Sequence, residues 1–294
     1  MATVTPWLND PAYVFPLATV IGLIIGSFLN VVITRLPVML ERQWRMECAE
    51  LAAPDGGSAP VPDDEPFSIV RPRSRCPACG KPIRALDNVP VLSWLLLRGR
   101  CRNCRATISA QYPIVELASA LLAVVTLWHY GPGWQALLAI VFGWVLLAAA
   151  VIDLRTTLLP DDLTLPLLWL GLLAAVGGAG FTTPAGAIVG AAAGYLVLWG
   201  LFHAFRLATG KEGMGYGDFK LLAALGAWTG WQGLPLIILL SSAVGAVVGI
   251  TIITVRGQDR SVPIPFGPYL AAGGWIALLW GDVITHAYLA WSLG

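Results

Sequence analysis

Apolar residues occur along this chain in long runs that are separated by short polar segments. A helix needs about 20 apolar residues to cross a hydrocarbon core of about 30 Å, and most of these runs reach or approach that length. The pattern predicts eight transmembrane helices, of which the sixth is short. The predicted helices cover residues 14–35, 113–130, 134–152, 163–181, 185–206, 219–232, 234–255 and 266–286. Trp228 and Trp231 would then lie in an interfacial aromatic belt at the far end of the sixth helix.

One sizeable polar region, at about 36–112, interrupts this pattern between the first and second helices. Its first part, from Glu41 to Pro66, is rich in Ala, Pro, Gly and Asp and predicts a flexible linker. Its second part contains four of the five cysteines. The chain is therefore predicted to be an all-α polytopic membrane protein in three parts. These parts are an N-terminal anchor helix at 1–36, a cytoplasmic loop domain at 37–112 and a multi-helix membrane domain at 113–294.

The composition agrees with a membrane protein, and the basic residues predict its orientation. Charged residues make up 12% of the chain and hydrophobic residues 57%, with a mean hydropathy of +0.73, outside the usual range for a soluble domain. If the N-terminus lies outside, all 18 Lys and Arg residues fall on the opposite side, which the positive-inside rule identifies as cytoplasmic. No basic segment precedes the first apolar run, so the first helix is expected to be a retained anchor. The basic residues of 35–105 are interspersed with acids and fit membrane topology, so no nucleic-acid partner is expected.

Four cysteines in the polar region form two C-x-x-C pairs, Cys76 with Cys79 and Cys101 with Cys104. This spacing resembles a four-thiolate zinc site of the zinc-ribbon type, and a cytoplasmic location disfavours disulfides. Four protein ligands leave no open coordination position, so such a zinc ion would be structural. A redox role or unliganded thiols are the alternatives. Cys48 lies outside the pattern and is interpreted as a spare thiol.

Two aspartates, Asp153 and Asp218, are predicted to lie at membrane depth, where a carboxylate is costly and usually functional. Two helices separate them, so the chain returns to the same side and both carboxylates face the cytoplasmic end of the bundle. A pair of carboxylates can share a proton and activate water. The alternative is that each is an ordinary helix-end residue, with Asp218 as the N-cap of its helix. The glycines beside it, Gly213, Gly215 and Gly217, would let a backbone approach Asp218 closely.

Other acids compete for these roles. Asp161 and Asp162 stand at the predicted start of the fourth helix, where capping and the helix dipole explain them well. Asp153 ends a helix, where the dipole disfavours negative charge, so it is the stronger functional candidate. Glu116 is a third buried acid, for which pairing with an arginine or a backbone group is the alternative. The chain has no G-x-S-x-G elbow, H-E-x-x-H motif or P-loop, and its three histidines show no metal-ligand spacing.

Taken together, the motifs of this chain resemble those of the type IV prepilin peptidases over nearly the whole length. Several independent motifs in the right order are more specific than the G-x-G-D pattern around Asp218. The matching segments are G-S-F-L-N-V-V-I-T-R-L-P at 26–37, S-R-C-P-A-C-G at 74–80, D-N-V-P-V-L-S-W at 87–94, L-R-G-R-C-R-N-C at 97–104, Q-Y-P-I-V-E at 111–116, D-L-R-T-T-L-L-P-D at 153–161 and G-Y-G-D-F-K at 215–220.

This resemblance implies a bifunctional enzyme of the bacterial inner membrane. It would be an aspartic protease that removes the basic leader of prepilins and type II secretion pseudopilins after a glycine, at the cytoplasmic face. The family's catalytic pair corresponds to Asp153 and Asp218. The family also methylates the new N-terminal residue with S-adenosylmethionine, and the segment 97–104, with Gly99, is a candidate place for the methyl donor. The multi-helix part at 113–294 would be the peptidase domain.

Two other functions fit parts of the pattern. An intramembrane protease of the presenilin or signal-peptide-peptidase kind shares the two aspartates but leaves the cysteine-containing loop unexplained. An ion-coupled transporter could relay protons through buried carboxylates, but the pseudo-symmetric halves and discontinuous helices expected of it are not recognisable in the sequence.

Overall fold

The computed structural model describes residues 10–52, 67–211, 213–256 and 265–293. Within these ranges the chain is helical and contains no β-strand beyond two isolated bridges. The α-helices are α1 (Pro11–Ala52), α2 (Leu92–Leu96), α3 (Gln111–Tyr130), α4 (Trp134–Thr156), α5 (Asp161–Val176), α6 (Pro184–Thr209), α7 (Tyr216–Thr229), α8 (Leu234–Arg256) and α9 (Gly267–Leu293).

These helices confirm the predicted all-α membrane fold. Every predicted apolar run corresponds to one α-helix, and the short α2 is the addition. Among the described residues, five stretches are long and apolar enough to cross a membrane by length and composition, namely α1, α3, α4, α6 and Trp231–Ile252, which includes most of α8. Helices α5 and α7 have 16 and 14 residues. They therefore measure only about 24 and 21 Å at 1.5 Å per residue, less than a hydrocarbon core.

The predicted linker is wrong over its first part, because α1 continues to Ala52. The segment after Pro37 consists mainly of good helix formers such as Met, Leu, Glu, Arg, Gln and Ala. Side-chain pairs one turn apart, Glu41 with Arg45 and Gln43 with Glu47, support the extension. The rest of that linker, at 53–66, lies outside the described residues.

The chain divides into two compact units. The N-terminal unit comprises residues 16–121, and the bundle unit comprises residues 122–293 together with 10–15. The three-part division at residues 36 and 112 stays a prediction.

Helix α7 forms the centre of the bundle unit, and nearly all of its side chains from Asp218 to Trp228 are buried. It packs against α5, α6 and α9. Its backbone approaches α6 so closely that a Cβ atom on Gly190 would lie 2.2 Å from the carbonyl oxygen of Gly226. Glycine is therefore required where these helices cross, and this crossing holds α7 against α6 inside the unit.

The predicted interfacial position of Trp228 is wrong. Trp228 is 1% exposed, and its indole N–H donates to the carbonyl oxygen of Leu167 at 2.8 Å. The ring packs against Phe142 and over Gly171, where a Cβ atom would lie 2.6 Å from it. Trp231, two residues beyond the end of α7, is half exposed. The indole N–H of Trp228 thus has its hydrogen-bond partner inside the protein core, so the side chain does not need a membrane interface.

In the N-terminal unit, α1 packs against the first part of α3 through a G-x-x-x-G pair. A Cβ atom on Gly22 would lie 2.5 Å from the Cα atom of Ala120, and one on Gly26 would lie 2.6 Å from the Cα atom of Glu116. The hydroxyl of Ser119 donates to the carbonyl oxygen of Gly22 at 2.6 Å. Small residues on one helix therefore allow a close backbone contact, as is common between membrane helices.

We expect Gly26→Leu to destabilise the N-terminal unit, because the new side chain would overlap the backbone of α3. Overpacking alone costs about 1–3 kcal/mol, and a backbone obstruction allows little relaxation. Thermal unfolding and limited proteolysis in detergent measure the effect. Ile24→Leu, on an exposed face of the same helix, is the matched control. Equal stability of the two variants would contradict the close α1–α3 contact.

Candidate active site and metal centre

Asp153 and Asp218 are buried at helix ends within the bundle unit. Asp153 lies in the last turn of α4 and is 5% exposed, while Asp218 lies in the first turn of α7 and is 7% exposed. The structure thus brings both predicted residues into the same unit.

Asp153 receives a backbone hydrogen bond from a helix that follows it by more than a hundred residues. Its Oδ2 atom accepts from the N–H of Gly267, the first residue of α9, at 2.9 Å. The N-terminus of a helix favours a negative charge, which offsets the unfavourable place of Asp153 at the end of α4. A Cβ atom on Gly267 would lie 2.7 Å from the same oxygen. Glycine at this position is therefore part of how the site is built.

Asp218 differs from Asp153 in its surroundings, because the backbone N–H that interacts with its carboxylate comes from Gly215, in its own turn. Its Oδ1 atom is buried without a hydrogen-bond partner among the described residues. The N-cap of α7 is Gly215, and no side chain caps the helix, so the alternative that Asp218 is an N-cap is wrong. A buried carboxylate oxygen without a partner is costly, and such groups need a functional explanation.

Leu159 lies between the starts of α7 and α9, beside the two aspartates. A Cβ atom on Gly217 would lie 2.6 Å from that of Leu159, and one on Gly267 would lie 3.1 Å from both of its methyl groups. The starts of α7 and α9 therefore pack on the same side chain. Asp153 and Asp218 are close enough to interact electrostatically. Two acids in such proximity form the arrangement from which a shared proton arises.

The glycines that precede Asp218 have different roles. Gly217 makes room for Leu159, and Gly213 lies where a Cβ atom would meet the ring of Phe205 at 2.9 Å. Gly215 alone faces open space, since the nearest atom to a Cβ there would be Oδ2 of Asp218 at 3.9 Å. The backbone at Gly215 thus leaves one side of Asp218 uncovered.

The competing aspartates lie in the first turn of α5 and are exposed. Asp161 forms an ion pair with Lys220, with Nζ 2.7 and 2.8 Å from its two carboxylate oxygens. Asp162 stands beside it in the same turn. A helix start and a paired cation account for Asp161 without catalysis.

Glu116 is 6% exposed and belongs to the N-terminal unit. It accepts a hydrogen bond from the backbone N–H of Val91 at 2.7 Å. The predicted alternative of pairing with a backbone group is therefore confirmed.

The four cysteines of the two C-x-x-C pairs come together in the N-terminal unit. Their sulfur atoms all lie within 4.8 Å of one another, and those of Cys76 and Cys104 are 3.7 Å apart. A tetrahedral zinc ion with Zn–S bonds of 2.3 Å requires sulfurs about 3.8 Å apart. The cluster can therefore hold a metal ion and is compatible with zinc. Cys48 is exposed and lies outside this cluster.

The two cysteine turns have the same backbone structure, displaced by 25 positions. Arg75 bridges Pro82 as Arg100 bridges Thr107. The N–H of each first cysteine donates to the carbonyl oxygen five residues on, at 3.0 Å for Cys76 and 2.8 Å for Cys101. The residue after each second cysteine has a positive φ. This duplication escaped the sequence analysis, because the two segments share few residues beyond the cysteines.

Backbone amides in these turns point at the sulfur atoms. The N–H groups of Cys104 and Asn103 lower the pKa of the Cys101 thiol to about 6, and the N–H of Lys81 lowers the pKa of Cys79. Hydrogen bonds of this kind stabilise thiolates, which are the form that binds a metal.

An ion pair connects the segment between the two cysteine turns to the second turn. Asp87 forms a bidentate ion pair with Arg102, which lowers the pKa of the Asp87 carboxyl. Gly99, the candidate for the methyl donor, has a φ of +66°, and a Cβ atom there would lie 2.9 Å from the ring of Trp94. The positive φ and the close contact with Trp94 explain why residue 99 is a glycine.

Sequence reasoning missed Leu159 and Gly267. Gly267 donates to Asp153, and Leu159 contacts Gly217 and Gly267, so both residues depend on how α4, α7 and α9 pack. The signal for Gly267 was its place in the P-I-P-F-G-P segment before the last helix, where a helix start is expected.

Comparison with known proteins gives matches over nearly the whole chain. Residues 20–130 match the bacterial peptidase A24 N-terminal domain, and residues 140–250 match the type IV leader peptidase family. No solved structure matches significantly.

Similar proteins from three bacteria are all named prepilin leader peptidase/N-methyltransferase. The Aeromonas hydrophila protein is 58% identical over 284 residues, which cover 97% of this chain and 95% of that protein. The Pseudomonas aeruginosa protein is 53% identical over 287 residues, and the Xanthomonas campestris protein is 48% identical over 285 residues. Both alignments cover 97% of each chain.

Proposed function

Because this chain belongs to the type IV leader peptidase family, we propose that it is a bifunctional prepilin peptidase with Asp153 and Asp218 as its catalytic pair. It removes the leader of type IV prepilins and type II secretion pseudopilins and methylates the new N-terminal residue. The observation that carries the peptidase assignment is the burial of two carboxylates, at the end of α4 and the start of α7, beside helix starts that pack on the same Leu159 side chain.

The surroundings of the two carboxylates suggest a division of roles. The N–H of Gly267 stabilises negative charge on Asp153, so Asp153 is the base that takes a proton from water as the water oxygen attacks the scissile carbonyl carbon. Asp218, whose Oδ1 has no donor among the described residues, carries the shared proton and polarises the carbonyl oxygen. The C–N bond then breaks, and the proton of Asp218 passes to the leaving amine. The proton taken up by Asp153 is again shared, which restores the pair.

The approach of the substrate is supported by Gly215. An extended peptide can reach Asp218 where Gly215 leaves open space, since a side chain at that position would cover the carboxylate. This explains the small residue immediately before the helix that carries Asp218.

The four cysteines are proposed to bind a structural Zn²⁺ ion. Their spacing and their clustered sulfurs support a zinc site. With four protein ligands the ion would hold the two cysteine turns together and take no part in hydrolysis.

The methylation half is supported by the names of the similar proteins. S-adenosylmethionine supplies the methyl group, and the new N–CH₃ bond replaces the S–CH₃ bond. The amine of the mature pilin must lose a proton to act as the nucleophile.

The protein is a multi-pass membrane protein, and we place it in the bacterial inner membrane with the N-terminus outside. Arg155 and Lys220 lie within two residues of Asp153 and Asp218. Basic residues at helix ends favour the cytoplasmic side, which puts the proposed active site at the cytoplasmic face. Prepilins carry a basic leader and an apolar helix, and both suit a site at this boundary.

Incubation of the purified protein with a prepilin in detergent tests the proposal. Mass spectrometry should show loss of the leader, and with S-adenosylmethionine present the mature product should gain the mass of one methyl group. A preparation that is folded and zinc-loaded but leaves the prepilin intact would contradict the peptidase assignment. Cleavage without a mass gain would contradict methylation alone.

A further inference from the structure

Helix α2 of the N-terminal unit exposes three leucines on one face. Leu92, Leu95 and Leu96 stand three and four positions apart and are 59%, 57% and 83% exposed. Trp94, between them, is partly buried, and its indole N–H donates to the carbonyl oxygen of Ile108 at 3.2 Å. The three exposed side chains form the leucine face. A contiguous exposed apolar group of this kind marks a contact surface for a membrane or another protein.

The backbone of α2 is attached at a depth where α1 is still apolar. The N–H of Val91, the residue before α2, donates to the carboxylate of Glu116 at 2.7 Å. The Cα atom of Glu116 would lie 2.6 Å from a Cβ atom on Gly26 of α1. Gly26 precedes Arg35, the first basic residue of the chain, by nine residues, which is about 14 Å along a helix. Helix α2 therefore begins beside the membrane part of α1.

Two further contacts place this segment at the same depth. Ile114 and Leu117, which flank Glu116 in the sequence, are 61% and 53% exposed, as lipid-facing side chains of α3 would be. Helix α2 and the cysteine turns also line a cavity of about 710 Å³ together with Ser27 and Asn30 of α1. The segment thus lies alongside the cytoplasmic turns of the membrane part of α1, within the half-thickness of a hydrocarbon core of about 15 Å.

The residues around the leucine face carry a large excess of positive charge. Residues 67–110 contain eight arginines, one lysine and a single acid, Asp87, which is paired with Arg102. A zinc ion held by four thiolates would carry two negative charges and would leave the segment strongly positive. Arg84 precedes the apolar stretch, Arg98 follows it, and both are exposed. Such residues attract anionic headgroups, whereas the basic leader of a prepilin would be repelled.

We propose that the leucine face lies among the acyl chains of the cytoplasmic leaflet, and that the arginines on either side of it bind the headgroups of anionic phospholipids. The depth of α2 supplies an apolar phase for the leucines, and the positive charge fits the surface of that phase. The N-terminal unit then contacts the bilayer through α2 as well as through α1 and α3. This contact fixes the cysteine turns at the membrane surface and does not depend on either proposed enzymatic activity.

Photocrosslinking of the full-length protein in lipid nanodiscs tests this assignment. The photoreactive residue p-benzoylphenylalanine, introduced at Leu96, inserts on illumination into C–H bonds beside it. We expect intact-mass spectrometry to show the added mass of one phospholipid. In nanodiscs with equal amounts of phosphatidylglycerol and phosphatidylcholine, adducts of the anionic lipid should prevail by about two- to five-fold. The matched control position is Leu51, which is 88% exposed and lies 16 residues beyond Arg35, and it should give no lipid adduct.

Substitution of the arginines separates depth from charge. Arg84→Gln combined with Arg98→Gln should lower the excess of phosphatidylglycerol adducts toward one, while the total yield of lipid adducts at Leu96 stays the same. The same probe at Leu92 should also capture lipid, and it keeps the test decisive if the variant at Leu96 fails to fold.

Three results would overturn the proposal. The probe on the leucine face could join to a peptide of the bundle unit, which would show that the same chain covers this face. It could join to a second copy of the chain, which would show a dimer contact. It could give no adduct, or capture the two lipids equally, which would exclude the leaflet or the anionic headgroups respectively.

Discussion

Replacing Asp153 or Asp218 by asparagine is expected to abolish most leader cleavage, with a fall in kcat of about 10²–10⁴-fold for each variant. Asparagine has the same shape but can neither take a proton from water nor give one to the leaving amine. The loss should appear in kcat more than in KM, because the substrate is still bound. Leader removal followed by mass spectrometry under single-turnover conditions measures it.

The matched control is Asp161→Asn, an aspartate of the same bundle unit that is exposed and paired with Lys220. Exposed ion pairs contribute about 0–1 kcal/mol, so this variant should fold and cleave nearly as well as the unmutated protein. Cleavage that survives in Asp153→Asn and disappears in Asp161→Asn would transfer the role of the base to Asp161. Thermal unfolding of each variant separates loss of catalysis from loss of fold.

The second large effect is expected from the cysteine cluster. If the cluster binds zinc as proposed, Cys101→Ser should lose the ion and unfold the two cysteine turns, because three thiolates bind zinc far less tightly than four. Structural zinc sites contribute about 10–16 kcal/mol of apparent binding free energy at neutral pH. Metal analysis of the purified protein and hydrogen exchange over residues 67–110 measure the two consequences.

Cys48→Ser is the control for this experiment, since Cys48 is exposed and outside the cluster. It should retain the metal and the exchange protection of the unmutated protein. A disulfide between any two of the four clustered cysteines in freshly purified protein, together with no bound metal, would contradict the zinc assignment and favour the redox alternative.

Much of the fold was predictable because the bilayer imposes it. Apolar runs must become helices in lipid, so each of the eight predicted runs corresponds to one of the described helices. The residues at which the helices end were less predictable. Residues 41–52 contain no long apolar run, yet they extend α1 through helix propensity and side-chain pairs. The predicted fourth helix ends early, at Val176, because Gly177 and Gly178 follow, the second of which has a positive φ.

The candidate site was predictable in its residues but not in its construction. Asp153 and Asp218 were recognised because charge is rare at membrane depth, and the cysteines because two pairs share a spacing. The amide of Gly267 on Asp153, the place of Leu159 between two helix starts and the ion pair of Asp161 with Lys220 are contacts between distant segments. Sequence patterns of one helix carry no information about which neighbour it meets.

The burial of Trp228 is a second feature that depends on contacts between distant segments. A tryptophan at the end of a short apolar run indicates a membrane interface, but the space over Gly171 and the carbonyl of Leu167 place it in the core. Periodicity, spacing and charge are properties of neighbouring residues, so helix number, metal ligands and candidate acids could be found without coordinates. Packing between helices far apart in the chain decides which oxygen receives a hydrogen bond, which acid forms an ion pair and which cavity remains open. These contacts act over a few ångströms only.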